Sequence, residues 1–314
     1  DELDIAHKMR WVETRRAYWY RGELQPWGNP IALLKFRGLS QVAKLRYGLH
    51  AFLSTRRHDW RDLDKQSATI WLKRWVGEEA YEVLWQSLFE YKFYNYADRL
   101  SAAWIWSRIR RIGRSRYSLF REKLGYLEGG SDTLLQAMKS AIERHGGEIR
   151  LECPVSKVCT ESDMARGVEI KGEFEAFEKV ISTIPLPYVP RVIPDLPADL
   201  LAAFQSINNI AVVCVIAKLR RAVSPNFWVN TNDPEMDIPG FVEYSNLRPL
   251  DQHVVYVPFY MPGEHWKFKE SDQIFLGKVR SYLKRINPSL TDDDFLDMRA
   301  SRYRHAQPIC EPSV

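Results

Sequence analysis

Four cysteines, at positions 153, 159, 214 and 310, are the strongest nucleophiles this sequence offers. None forms a CxxC pair or stands in a recognised Cys/His signature. Three lie in apolar or strand-like stretches, which suits buried free thiols in a reducing, cytoplasmic compartment. There is no GxSxG elbow, no HExxH and no GxxxxGK[ST] phosphate loop, and His253 and His265 are too far apart for one helix face. Glu152, Glu161 and Asp163 lie close together, where a solvated strand end accounts for them. No metal site is expected. Side chains alone thus form no self-contained catalytic motif. The chemistry points to a cofactor, or to binding without catalysis.

Two further features bear on a ligand. Arg108, Arg110, Arg111, Arg114 and Arg116 form the one dense basic run in a chain of net charge +5. A solvated helix end explains it plainly. An anionic headgroup, a phosphate-bearing substrate or a membrane surface is the functional alternative. No motif for nucleic acid is present. Aromatics make up 13% of the chain, with 11 Trp, most of them before residue 120. A well-filled core is their ordinary destination, and a large apolar substrate cavity the functional one. Trp71, Trp75, Trp85, Tyr91, Trp104 and Trp106 are the candidate lining residues.

The elements that must position these residues follow from pattern. With 314 residues, 45% of them apolar, the chain has material for one large or two ordinary domains. Residues 1–9 read as the end of a helix. Residues 10–26 alternate like two strands around Arg21-Gly22-Glu23. Residues 31–116 read as a helical lobe. Asn29 and Ser40 are its first caps, Val42, Leu45, Leu49, Phe52 and Leu53 an apolar stripe at three- and four-residue spacing, and Gly77 and Gly113 helix ends. Ser131 or Asp132 caps a helix with stripe Leu134, Leu135, Met138 and Ile142, stopped by Gly146 and Gly147. Strands are expected at 148–158, 167–170, 174–183, 210–219, 227–230, 240–244, 253–260 and 295–305, and a helix at 273–286. The longest apolar run, 210–217, falls well short of the about 20 residues a membrane span needs. The fold class is therefore mixed α/β (α+β), with an antiparallel sheet and a helical lobe.

The stretch GYLEGGSDTLLQAMKSAIERHGGEIRLECPVSKV, followed by KVISTIPLP, NTNDP, FVEYSN and YRHAQPIC, resembles the FAD-dependent amine oxidase, protoporphyrinogen oxidase and phytoene desaturase superfamily. The resemblance spans essentially the whole chain and is nearest to a bacterial protoporphyrinogen-oxidase-like branch. It implies FAD as cofactor and an incomplete Rossmann-like FAD-binding domain from 1–10 and 124–185. It further implies a substrate domain from 11–123 and 186–300, and a return toward the FAD domain at 301–314. It places Pro154, Val155, Thr183, Pro185, Gly129 and Gly130 at the cofactor, and Gln307 with the six aromatic residues at the substrate.

The departures are an absent GxGxxG strand–turn–helix and an absent closing glycine–aspartate segment. They make this chain read as an internal fragment that does not complete the reaction alone. The implied activity is hydride removal from a mostly apolar, lipid-like or phosphate-bearing small molecule, in a cytoplasmic protein or one peripheral at a membrane. Two other readings stay open. One is a non-redox flavin mutase resembling UDP-galactopyranose mutase. The other is a binding protein resembling the GDP-dissociation inhibitors.

Overall fold

Apolar residues at period two build the strands of this chain, and stripes at three- and four-residue steps build its helices. The computed structural model describes residues 2–115, 118, 121–162 and 164–313. Arg116 and Asp163, named above, lie outside the described residues. In chain order the elements are β1 (Met9–Glu13), β2 (Arg16–Tyr20), β3 (Glu23–Trp27), α1 (Pro30–Lys35), α2 (Gln41–Arg56), α3 (Ala68–Val76) and α4 (Glu78–Tyr81). A π-helical turn over Glu82–Gln86 leads into α5 (Ser87–Phe93), then α6 (Ala102–Arg114). There follow β4 (Lys123–Leu127), α7 (Ser131–Arg144), β5 (Val155–Glu161), β6 (Met164–Ile170), β7 (Glu173–Ala176), α8 (Val189–Val192) and α9 (Ala198–Ser206). The last are β8 (Asn209–Leu219), β9 (Trp228–Asn232), β10 (Gly240–Glu243), β11 (His253–Pro262), α10 (Asp272–Ile286) and β12 (Phe295–Pro308).

The chain divides into two compact units. One is Asp1–Met9 with Leu127–Asn208, the other Arg10–Tyr126 with Asn209–Val314. Two expected boundaries shift. Residues 186–208 belong to the first unit. Residues 301–314 belong to the second, because β12 stays paired with β8 as far as Pro308 opposite Asn209. Among the described residues 2–8 there is a 3-10 turn at Ala6–Lys8 before β1 rather than a helix end.

The second unit is built on a seven-stranded sheet, ordered β12-β8-β11-β10-β9-β2-β3. All neighbours are antiparallel except β2 and β9, which run parallel. One sheet face is sealed. Val213, Val215, Val255, Val257, Phe259 and Val229 pack there with Phe275, Val279 and Leu283 of α10. The helical lobe forms its own core around Phe36, Leu72, Phe89, Phe93 and Trp106, and it takes in Tyr18 and Tyr20 from β2. The expected caps are present. Asn29 Oδ1 accepts from Ala32 N at 2.8 Å and Ser40 Oγ from Ala43 N at 3.2 Å.

Two lobe expectations fail. The stripe of α2 faces solvent, and Ala43, Lys44, His50 and Ser54 are its buried residues. Gly113 does not end α6, which runs on to Arg114. A Cβ at Gly113 would stand 2.2 Å from Thr55 Cγ2, so the glycine serves close packing of α6 on α2.

The first unit holds a three-stranded antiparallel sheet, β5-β6-β7, and a small core of Val158, Val168 and Ile170. Gly146 and Gly147 close α7 as expected, with Gly147 N donating to Ile142 O at 2.9 Å. Its N-cap is Gly130, without a side-chain cap, rather than Ser131 or Asp132. The stripe of α7, Leu134, Leu135, Met138 and Ile142, is exposed. The expected strands 148–158 and 174–183 are realised only from Val155 and only to Ala176. A strand is a pairing state, and no ladder reaches the remaining residues among those described.

Candidate functional site

Lys92 is the residue around which chemistry gathers. It sits on α5 between half-buried Tyr91 and buried Phe93. Its Nζ lies 5.4 Å from the Phe93 ring centre, 5.7 Å from that of Trp104 on α6 and 5.0 Å from that of Tyr260 on β11. The Arg108 guanidinium caps the Trp104 ring at 4.8 Å. Burial lowers the Lys92 pKa to about 8, and the charges of Arg108 and Arg111 push the same way. No carboxylate pairs with Lys92 among the described residues. Ring faces partly offset the loss of water, at about 0.5–2 kcal/mol for such contacts. The result is an amine that shares its proton readily near neutral pH.

Beside it the sheet shows its unsealed face. Cys214 and Ile216 of β8 and Tyr256, Pro258 and Tyr260 of β11 are half-buried, while the alternate residues on both strands are fully buried. Pro258 pairs with Cys214 and Tyr256 with Ile216, so these residues share one wall. Tyr244 meets Tyr256 edge to face at 5.9 Å. Burial raises the Tyr260 hydroxyl and the Cys214 thiol, keeping both neutral. An apolar wall with neutral hydroxyls and one desolvated amine suits an apolar ligand with a polar or anionic end.

The expected substrate residues separate into two groups. Trp104 is in the Lys92 cage, and Tyr91 is half-buried on α5. Trp85 is partly buried against Phe89, and its Nε1 is buried without a hydrogen-bond partner among the described residues. Trp71 and Trp106 are core instead. Trp71 packs on His50 at 4.6 Å, and Trp106 Nε1 donates to Ser54 O at 2.9 Å. Trp75 lies at the lobe surface, and Gln307 pairs with Ile210 on the outer strand. Lys92 and Tyr260 escaped the sequence reading, since a lone lysine in a helix reads as solvated. A second cleft of about 640 Å³ escaped it too. It is lined by Arg15, Asn29 and Asn226 and by the ion pair of Arg16 with Glu122 at 2.7 Å.

In the first unit Pro154, Val155, Thr183 and Pro185 are all exposed. They do not line the shallow trough of about 780 Å³ there, which runs along Met164–Arg166 and residues 176–181. Gly129 and Gly130 have φ of 79° and 74°, and a Cβ on Gly129 would strike Thr133 Oγ1 at 2.1 Å. They shape the entry to α7. The α7 N-terminus follows Glu128 and opens on Asp132, and two carboxylates there repel a phosphate. The N-terminus of α7 therefore does not fit a pyrophosphate. The described residues also hold no group of His, Cys, Asp and Glu fit for a metal ion.

This mixed α/β fold, with an apolar half-open sheet face under a helical lobe, is that of the flavin oxidoreductases. The chain belongs to the flavin containing amine oxidoreductases, whose family model matches residues 1–306. Solved structures share the fold at low identity. A protein named as a protoporphyrinogen oxidase from Exiguobacterium sp. 255-15 is 18% identical with a TM-score of 0.69, over 99% of this chain and 72% of its own. An oxidoreductase from Methanosarcina mazei is 15% identical with a TM-score of 0.69, over 95% and 71%. A reduced UDP-galactopyranose mutase is 14% identical with a TM-score of 0.70, over 99% and 70%. No curated protein matches the chain.

Proposed function

We propose that this chain forms the substrate side of an FAD-dependent oxidoreductase acting on a mostly apolar small molecule. The Lys92 cage beside the half-open sheet face is the observation that carries the reading. Bound flavin supplies the hydride acceptor. The chain's own residues hold the substrate on the wall of Ile216, Pro258 and Tyr256, exclude water with the aromatic lobe, and exchange a proton at Lys92 Nζ. Apolar molecules with an anionic end, such as medium-chain fatty acids, titrated into the protein should quench tryptophan fluorescence to saturation, and Tyr260→Ala should weaken this about tenfold. Identical titrations of both proteins would remove the substrate assignment. Added FAD should bind saturably but weakly, given the carboxylates at α7. FAD that stays fully fluorescent and elutes apart from the protein would remove the cofactor.

One observation favours a second reading. Arg108, Arg111 and Lys92 lie close together and no carboxylate neutralises them among the described residues, which suits the phosphate of a larger substrate. Turnover by reduced flavin without an electron acceptor would favour mutase chemistry.

A further inference from the structure

We infer that the outward face of α2 is a docking surface for an anionic membrane. Val42, Leu45, Leu49 and Phe52 recur at three- and four-residue steps and so form one stripe of the helix. That stripe is open to solvent, at 68%, 74%, 51% and 54% exposure. The helix is held in this orientation from its other sides. Lys44 Nζ donates to Leu34 O of α1 at 2.8 Å. The His50 ring lies 4.6 Å from that of Trp71 of α3. Gly113 of α6 closes on Thr55. Ile31 and Leu34 on the neighbouring α1 are exposed as well. Water-facing apolar surface of this extent marks an interaction site.

Charge selects the occupant. Residues 31–116 hold 17 Lys and Arg against 8 Asp and Glu, a net of +9 where the whole chain has +5. A second copy would bring the same positive lobe against itself. An anionic lipid surface complements it. Arg56 stands 4.7 Å over the Phe52 ring, so its charge can stay among headgroups while its stem and the ring go deeper. No described helix is long and apolar enough to cross a membrane. The contact lies in the plane of the interface, through the exposed stripe of α2.

Co-sedimentation with vesicles tests this. The full chain should pellet with vesicles of phosphatidylcholine mixed with phosphatidylglycerol, far less with phosphatidylcholine alone, and salt should release part of it. Leu45→Glu should lower the ratio of bound to free protein about tenfold or more, because one buried leucine side chain contributes that much. Arg56→Gln should weaken binding to anionic vesicles only. Both side chains are exposed, so an unchanged melting temperature shows that the variants fold. Wild-type protein that stays in the supernatant with both lipids overturns the inference. So does Leu45→Glu protein that binds like wild type. A dimer in light scattering that Leu45→Glu splits would give the face to a second copy, and overturns it also.

Discussion

Lys92 and Glu243 are ionisable groups that the fold strains in opposite ways. Lys92 has a folded pKa of about 8 against an ordinary 10.5, through burial first and the charges of Arg108 and Arg111 second. Below pH 8 both folded and unfolded chains carry the proton, and the cost of burying the charge is fully present. Between about 8 and 10.5 the unfolded chain binds more protons, so stability rises with pH. Lys92→Met should therefore raise the melting temperature at neutral pH, by roughly 1–3 kcal/mol of stability. Melts at stepped pH should show the advantage shrinking toward pH 10.5, and a constant offset would rule out a desolvated charge as its source.

Glu243 lies fully buried on β10. Burial pushes its carboxyl up to about 7, although Val223 N at 3.1 Å and Ser224 N at 2.9 Å donate to it. From about pH 4.5 to 7 the folded chain holds the extra proton, so this group makes stability fall as pH rises. The difference in melting temperature between wild type and Glu243→Gln should move through that window and level off above it. A difference that stays constant with pH would exclude titration of this carboxyl. Neither residue announces itself in sequence. A charge becomes notable only through what surrounds it, and the rings around Lys92 come from α5, α6 and β11.

Helix packing turns on single contacts. Glycine inside a helix normally costs about 1 kcal/mol against alanine. At Gly113 the sign should reverse, because the new Cβ meets Thr55 Cγ2 at 2.2 Å and must part α6 from α2. Gly113→Ala should destabilise by about 1–3 kcal/mol in denaturant titration. Thr55→Ser removes the opposing methyl, so the double variant should recover most of the loss. Simple addition of the two single effects would show that the contact is not the cause.

Local signals were largely readable from the chain. Asn29 and Ser40 cap as their types and positions imply, and β8, β11 and α10 lie where the periodicity puts them. The failures have one origin. Periodicity marks the apolar side of an element but not what lies against it. Leu151 and Ile181 have strand-like surroundings yet stand 83% and 88% exposed with no strand beside them. The α2 stripe shows a perfect helical period and faces water. The family pattern alone nominated the glycines and Pro154-Val155 for the cofactor. The cage was not visible in sequence, since it depends on contacts between distant segments.

The two units differ sharply in how much apolar surface they hide. The second unit has two extended cores, one under α10 and one in the helical lobe. The first has Val158, Val168 and Ile170 at its centre, and α7 contains no buried residue. A helix of its length is marginal in water unless packing supports it. Cooperative all-or-none unfolding is therefore not expected for the whole chain. Hydrogen exchange should show the amides of α7 and β5 opening at least about a hundredfold more often than those of β8 and β11, since the latter open only with their core. Any ligand that binds the folded first unit must add to its stability by mass action. FAD should therefore slow exchange at β5 and α7 while leaving β8 unchanged, if Pro154 and Val155 meet the cofactor. An apolar carboxylate held at the Lys92 cage should do the reverse, protecting α5 and β11. Protection by FAD at the cage and not at β5 would move the cofactor assignment to the second unit.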